Sequence, residues 1–292
     1  MPQSNRRSNV NLRVLALSFL LIVPAVEACD FLDVSEQPMP LTADSADYSV
    51  LFIGSSYLGY NELPRMFEQL AYSVGRSVYV RERIVYGAPL KYHAEHTLTD
   101  VAIEEHDWDF VVLQGGSHRV AYPEYTSDSV LPALEVLKAK VEANNAGTRT
   151  VYMMGWAYED GIEFQDGSTE SFSEMQQKIF DNTLEWADSL DLIVAPVGWA
   201  WHELLLDETQ PHYLHSADLS HPNVRGSYLS ACVFVATLFG RSLTTADYYG
   251  GVPEEQAEEL QQVATLVVLN DLEMWNADPV GAPGSASASA IW

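Results

Sequence analysis

The sequence predicts an α/β protein, a three-layer α/β/α flavodoxin-like fold on a five-stranded parallel sheet. Two observations predict it. Strand-like apolar runs alternate with helical patterns along the chain, the order that builds a doubly wound parallel sheet. Several runs are almost continuously apolar, as in Phe110-Val111-Val112-Leu113, which a sheet covered on both faces requires. With 292 residues, 47% hydrophobic and 19% charged, the chain suffices for one large domain with a buried core.

The elements follow in order. The first strand is expected at 49–53, where the apolar run Val50-Leu51-Phe52-Ile53 meets the turn Gly54-Ser55-Ser56, and a helix-like segment follows at 61–75. A second strand at 78–85 ends in Tyr86-Gly87-Ala88-Pro89, with a helix at 92–104. The third, 110–114, ends in Gln114-Gly115-Gly116-Ser117-His118 before a helix at 127–144. Strands at 150–156 and 192–197 flank a helix at 171–190, and helices at 224–239 and 253–275 close the domain. Trp156, Trp199 and Trp201 come after the last two strands. They are candidates to line a pocket or to fill the core.

Outside this pattern the chain divides further. Arg6, Arg7 and Arg13 precede an uncharged apolar run from Val14 to Val26, and Val26-Glu27-Ala28-Cys29 follows. A basic segment, a short apolar run and a small residue describe a secretory signal over 1–28, too short for a spanning helix. Residues 29–46 are polar with scattered prolines and read as a tether. The domain itself is expected over 47–275, and the Pro-, Gly-, Ser- and Ala-rich stretch 276–292 reads as a disordered tail. The charge is −26, with only four lysines, Lys91, Lys138, Lys140 and Lys178. Such a field repels nucleic acid and anionic membrane surfaces and suits neutral substrates. The two cysteines, Cys29 and Cys232, lie at the mature N-terminus and in an apolar segment. No disulfide framework is expected of them.

In strand order 2-1-3-4-5, ligands bind beyond the carboxyl ends of the strands, where the mouths of strands 2 and 3 flank strand 1. A serine after strand 1 sits at a helix start, whose N–H groups favour developing negative charge. A turn glycine, Gly87, and a side-chain amide, Gln114, lie on either side. Far downstream, Asp218-Leu219-Ser220-His221 places an acid and a base three residues apart. Alone, each has a plainer reading: helix cap, turn glycine or surface ion pair. Together they suggest a serine hydrolase with the chain order Ser, Asp, His. His93 with His96, and His212 with His215, repeat a spacing that two metal ligands can use. No thiolate joins them, and zinc prefers three or four converging ligands, so neither a metal nor a cofactor is expected.

At these residues the chain resembles the SGNH (GDSL-like) hydrolases, over roughly Tyr48 to Gly240. The first block reads Phe52-Ile53-Gly54-Ser55-Ser56-Tyr57 with Leu63-Pro64. The last reads Asp218-Leu219-Ser220-His221-Pro222-Asn223 with Gly226-Ser227-Tyr228-Leu229. The resemblance implies the SGNH hydrolase fold, with Ser56 as nucleophile, His221 as base and Asp218 as its orienting acid. It also implies an oxyanion hole from the N–H groups of Ser56 and Gly87. Two departures stand out. Ser55 replaces the Asp or Asn usual before the nucleophile, and the third block lacks Gly-x-Asn-Asp. Gln114-Gly115-Gly116-Ser117-His118 is more like the Gln-Gly-Glu-Ser-Asn of carbohydrate acetylesterases, which makes Gln114 the third donor, with His118 as its substitute. Cys29 after a small residue resembles a bacterial lipoprotein site, with ordinary cleavage after Ala28 as the alternative.

These readings converge on an exported serine esterase, periplasmic or at the cell surface, lipid-anchored at Cys29 and touching membrane only there. Its expected substrate is a small-molecule or carbohydrate ester, with carbohydrate O-acetyl groups foremost and a short-chain lipase or thioesterase as near rival. The alternative from another class is a non-catalytic carbohydrate-binding surface lipoprotein that retains the fold.

Overall fold

The computed structural model describes residues 42–125, 129–206 and 210–280. The expected signal segment, Cys29 and most of the tether lie outside the described residues, as does the tail beyond 280.

Five strands form one parallel sheet: β1 (Tyr48–Gly54), β2 (Val78–Ile84), β3 (Phe110–Gln114), β4 (Arg149–Met153) and β5 (Ile193–Ala195), in the spatial order 2-1-3-4-5. The expected α/β/α class and sheet order are what the chain adopts. Alternate residues of β1 divide between the two faces. Val50 and Phe52 pack under α2 (Leu63–Ser73), α9 (Val224–Phe239) and α10 (Glu254–Leu269), together with α8 (Val197–Leu205). Leu51 and Ile53 pack under α3 (Leu90–Glu95), α4 (Thr97–Glu104), α5 (Ser117–Ala121), α6 (Val130–Asn144) and α7 (Phe172–Leu190). The period of two along a strand is what separates these cores. Cys232 is buried in the first core, and burial pushes its thiol well above the usual range.

Several elements depart from expectation. The helix expected at 92–104 is two helices broken at His96, whose backbone is extended (φ −105°, ψ 121°) and whose Nδ1 accepts the Leu98 N–H to cap α4. A side-chain cap without glycine or proline leaves no breaker in the sequence. The last helix stops at Leu269, not 275. Trp275 instead folds back, its carbonyl accepting from Val194 N–H (2.8 Å) and its indole donating to Val267 O (2.9 Å). Nor is 276–280 a loose tail. Val280 N–H donates to Leu238 O (3.2 Å), and the Asp278 carbonyl accepts from Arg149. In the tether, residues Ala43–Ser45 form a 3-10 turn closed by Thr42 and Ser45.

Helices α5 and α8, a shorter helix and a hairpin are additions to the expected elements. A short helix α1 (Ser56–Gly59) follows β1 directly. An antiparallel hairpin (Ile162–Glu163 with Thr169–Glu170) leaves the sheet between β4 and α7, turning through Asp166-Gly167. That dipeptide is a hairpin signal in its own right. Trp156 and Trp201 are core residues, stacked face to face at 4.2 Å, and neither is exposed. Trp199 is half-buried against Phe180 and His202. Among the described residues no helix is long and apolar enough to cross a membrane.

Gly226 sets how closely α9 approaches its neighbours. A Cβ there would lie 2.5 Å from the Trp201 ring and 2.6 Å from Leu214 O. Gly226→Ala should therefore cost about 1–3 kcal/mol through overpacking, a fall in Tm of roughly 2–10 °C for a domain of this size. A thermal melt checks this; an unchanged Tm would mean that α9 can shift freely.

Candidate active site

The first described turn of the site is the junction from β1 into α1. Ser55 is extended (φ −118°, ψ −161°), and its carbonyl accepts from Leu58 and Gly59 N–H. Ser56 is then the first helical residue, where a backbone N–H has no partner within the helix. Its hydroxyl lies 2.8 Å from His221 Nε2. On the other side of the ring, Nδ1 lies 2.6 Å from Asp218 Oδ2. The sequence places these residues 165 and 3 positions apart, and the fold brings all three together at the carboxyl edge of the sheet. Because a carboxylate only accepts, Nδ1 carries the proton in the neutral ring, and Nε2 faces the serine as an acceptor.

The Asp218 loop is closely tied. Asp218 Oδ1 accepts the backbone N–H of His221 (2.9 Å) and Ser220 (3.1 Å). Burial alone would raise the carboxyl, but these N–H groups and the His221 ring outweigh it and hold Asp218 below the usual carboxylate range. Leu219 adopts φ 65°, and its carbonyl accepts from Glu159 N–H (2.9 Å). Asn223 caps α9 by accepting from Arg225 and Gly226 N–H. Its amide nitrogen also spans to the carbonyls of His212, Tyr213 and His215.

Sequence reasoning missed the groups that frame His221. Tyr60 lies flat on the imidazole (centroids 4.3 Å apart, planes at 11°), and Tyr57 meets it edge-on at 5.4 Å. Asn61, at φ 55°, secures the Tyr60 segment by donating to Ser227 Oγ (2.8 Å) and Pro222 O (3.2 Å). The Tyr57 hydroxyl bonds Ser220 Oγ at 2.6 Å, and Trp156 donates its indole N–H to Ser220 O at 2.9 Å. Tyr60 leaves α1 in extended backbone (φ −65°, ψ 139°), so helical spacing does not mark it.

His93 belongs to this framework. It is fully buried, with Nε2 3.0 Å from Gly54 O and Nδ1 3.2 Å from the Thr99 hydroxyl. A carbonyl can only accept, so Nε2 donates and Thr99 donates to Nδ1. The neutral ring thus steadies the carbonyl two residues before Ser56. His96, which shares with it a spacing that metal ligands can use, caps α4, while His212 pairs with Glu159 (2.7 Å) and His215 donates to Ala157 O (2.9 Å). Among the described residues no cluster of three metal-ligating groups occurs.

The expected oxyanion donors fare differently. Gly87 sits at φ 74° in the turn closed by Ala88 N–H to Val85 O (3.0 Å). That turn adjoins the serine turn, since Val85 N–H donates to Gly54 O (3.0 Å). Gln114 is 2% exposed, and its amide is engaged on both sides. Oε1 accepts from Ser55 N–H and Oγ (both 2.9 Å), and Nε2 donates to Gly115 O (2.5 Å). His118 points its Nδ1 at the Tyr158 hydroxyl (3.0 Å). Neither side chain is brought to the serine as a free donor. Separately, a cavity of about 670 Å³ opens beside His118, between Tyr125 and the hairpin, without enclosing Ser56.

A parallel sheet in this order, with Ser, His and Asp meeting at its carboxyl edge, defines a flavodoxin-like protein built around a hydroxyl–imidazole–carboxylate relay. No family model matches the sequence, and no curated protein matches it. Solved structures do. A DUF4886 family protein from Bacteroides uniformis superposes with a TM-score of 0.64 at 19% identity, over 77% of this chain and 96% of that one. A candidate SGNH hydrolase from Slackia heliotrinireducens superposes with a TM-score of 0.53 at 26% identity, over 65% of this chain and 98% of that one. The chain has the fold of the SGNH (GDSL-like) hydrolase superfamily.

Burial, above all, and then the charge of Arg83 lower the His93 pKa to about 4, against the opposing pull of the Gly54 carbonyl. The unfolded ring titrates near 6.5. Between those values the unfolded chain binds more protons, so this contribution is complete above about pH 6.5 and is lost as pH falls toward 4. Thermal midpoints of wild type and His93→Gln between pH 7 and 4 check this. The difference between the two proteins should be largest at pH 7 and shrink on acidification; a constant difference would reject the assignment.

Proposed function

We propose that the protein is an exported serine esterase, acting through an acyl-serine intermediate, with acetyl groups on carbohydrates as its first substrate class. The observation that carries this reading is the relay from Asp218 Oδ2 through His221 to Ser56 Oγ, with both hydrogen bonds in range (2.6 and 2.8 Å).

In the scheme, His221 Nε2 takes the Ser56 proton as Oγ attacks the ester carbonyl. Asp218 keeps Nδ1–H oriented and stabilises the imidazolium. The flat Tyr60 ring adds attraction for that cation. The tetrahedral oxyanion is met by the N–H groups of Ser56 and Gly87. His221 then gives its proton to the departing alcohol, and a water repeats the sequence in reverse to free the acid. The acidic surface fits neutral esters better than anionic ones.

Turnover of p-nitrophenyl acetate by the purified domain tests the scheme. Ser56→Ala and His221→Ala should each lose at least about 10⁴-fold in kcat, and Asp218→Asn about 10⁴-fold. A fluorophosphonate probe should label Ser56. Wild-type turnover no faster than that of the variants would sink the reading.

One observation favours a second reading, a carbohydrate-binding protein without catalysis: the Gln114 amide is committed to Ser55 and Gly115. Sugar binding with no ester turnover would select it. On location, we propose a lipid anchor at Cys29 that holds the domain on the periplasmic or cell-surface side. Cys29→Ser should move the protein from the membrane to the soluble fraction of cells; unchanged partitioning would reject the anchor.

A further inference from the structure

The cavity beside His118 is walled by elements that the relay does not use. One side is the turn Pro123–Tyr125 after α5, the other the hairpin between β4 and α7. Three rings form an angled aromatic surface: Tyr122 meets Phe164 edge-on at 5.3 Å, and Tyr125 lies 6.2 Å from Phe164. The Tyr122 ring is buried and forms the floor, but Tyr125 is 75% exposed. Tyr125 thus stands at the cavity mouth, against Phe164 on one side and open to solvent on the other.

The polar lining narrows the occupant. The one lysine, Lys178, is neutralised by Glu170 at 2.5 Å, and Glu170 also accepts from the Tyr122 hydroxyl at 2.8 Å. Burial, with the charge of Arg119, lowers the pKa of His118 and keeps it neutral. Exposed carboxylates remain, Glu163 among them. The cavity is therefore electronegative and repels phosphate, sulfate and uronate groups. A purely apolar chain would leave those carboxylates facing hydrocarbon. A ring with an apolar face and hydroxyls around its edge satisfies both surfaces: the face on the Tyr125 and Phe164 rings, the hydroxyls on the carboxylates. The volume of about 670 Å³ falls within the roughly 300–1,000 Å³ of small-ligand sites.

The cavity also adjoins the reacting edge. His118 bonds Tyr158 at 3.0 Å, and the next residue, Glu159, donates its N–H to Leu219 O inside the Asp218–His221 loop. We propose that this cavity is the subsite for the alcohol part of the ester, and that the alcohol is a neutral sugar. The proposal rests on the esterase reading for the word "alcohol" and on the cavity alone for the sugar.

The experiment compares p-nitrophenyl acetate, which carries no sugar, with acetylated cellobiose, in wild type, Tyr125→Ala and Tyr125→Phe. Tyr125→Ala should lower kcat/KM for acetylated cellobiose about tenfold, the loss of one aromatic contact, while p-nitrophenyl acetate stays within about twofold of wild type. Tyr125→Phe should retain both activities. Equal losses on both esters, no loss on either, or a wild type that cleaves only p-nitrophenyl acetate would each overturn the subsite and leave the esterase standing. Should wild type cleave neither ester, the esterase reading has failed separately. Calorimetry with unacetylated cellobiose then decides: binding weakened by Tyr125→Ala upholds the sugar site, and absent or unaltered binding overturns it.

Discussion

The orientation of one imidazole governs the arrangement of this site. His221 is fixed at Nδ1 by Asp218, approached at Nε2 by Ser56, covered on a face by Tyr60 and met at an edge by Tyr57. The restraints come from two segments, 56–60 and the loop of His221 itself, and each segment has its own supports. Asp218 is held by two N–H groups of its own loop, Tyr60 by the Asn61 clamp, and Tyr57 by Ser220 and by stacking on Trp156 at 4.7 Å. A ring so restrained has little orientational freedom left to lose, which is what pre-organisation of a polar group means.

The parallel sheet makes that convergence possible. Turns leaving the carboxyl ends of adjacent strands lie side by side, so the serine turn after β1 touches the turn after β2 through Val85 and the turn after β3 through Gln114. His93 reaches the same Gly54 carbonyl from α3, on the other face of the sheet. The Ser56 turn is thus fastened from three directions. This is the general logic of rigid scaffolds that carry function on their loops.

Much of this was legible in the sequence because it is written locally. Continuous apolar runs specify strands buried on both faces, and their alternation with helical patterns specifies a parallel sheet. Ser56, Asp218 and His221 were legible because each sits beside local punctuation, Gly54 before the serine and Pro222 after the histidine. What was not legible depends on partners distant in sequence. Tyr60 acquires its meaning from a histidine 161 positions later and His93 from a carbonyl 39 positions earlier, and no local pattern announces either. The His93–His96 spacing even suggested a metal pair, when one ring steadies a carbonyl and the other caps a helix. The break at His96 escaped for a similar reason: a cap supplied by an imidazole carries none of the usual stop signals.

The two departures from the usual block pattern become one once the Gln114 amide is considered. The Ser55 N–H can only donate, so the amide must turn its Oε1 toward it, and the Ser55 hydroxyl then donates to the same oxygen. A carboxylate at position 55 would set acceptor against acceptor there. Turning the amide over to satisfy it would instead set Oε1 against the Gly115 carbonyl, which Nε2 now bonds. In a pocket where Gln114 is 2% exposed, no water is at hand to relieve either conflict. A hydroxyl at 55 and a glutamine at 114 are therefore matched. Together they form a fixed brace beneath the Ser56 turn, with the Gln114 amide bonded to Ser55 on one side and to Gly115 on the other.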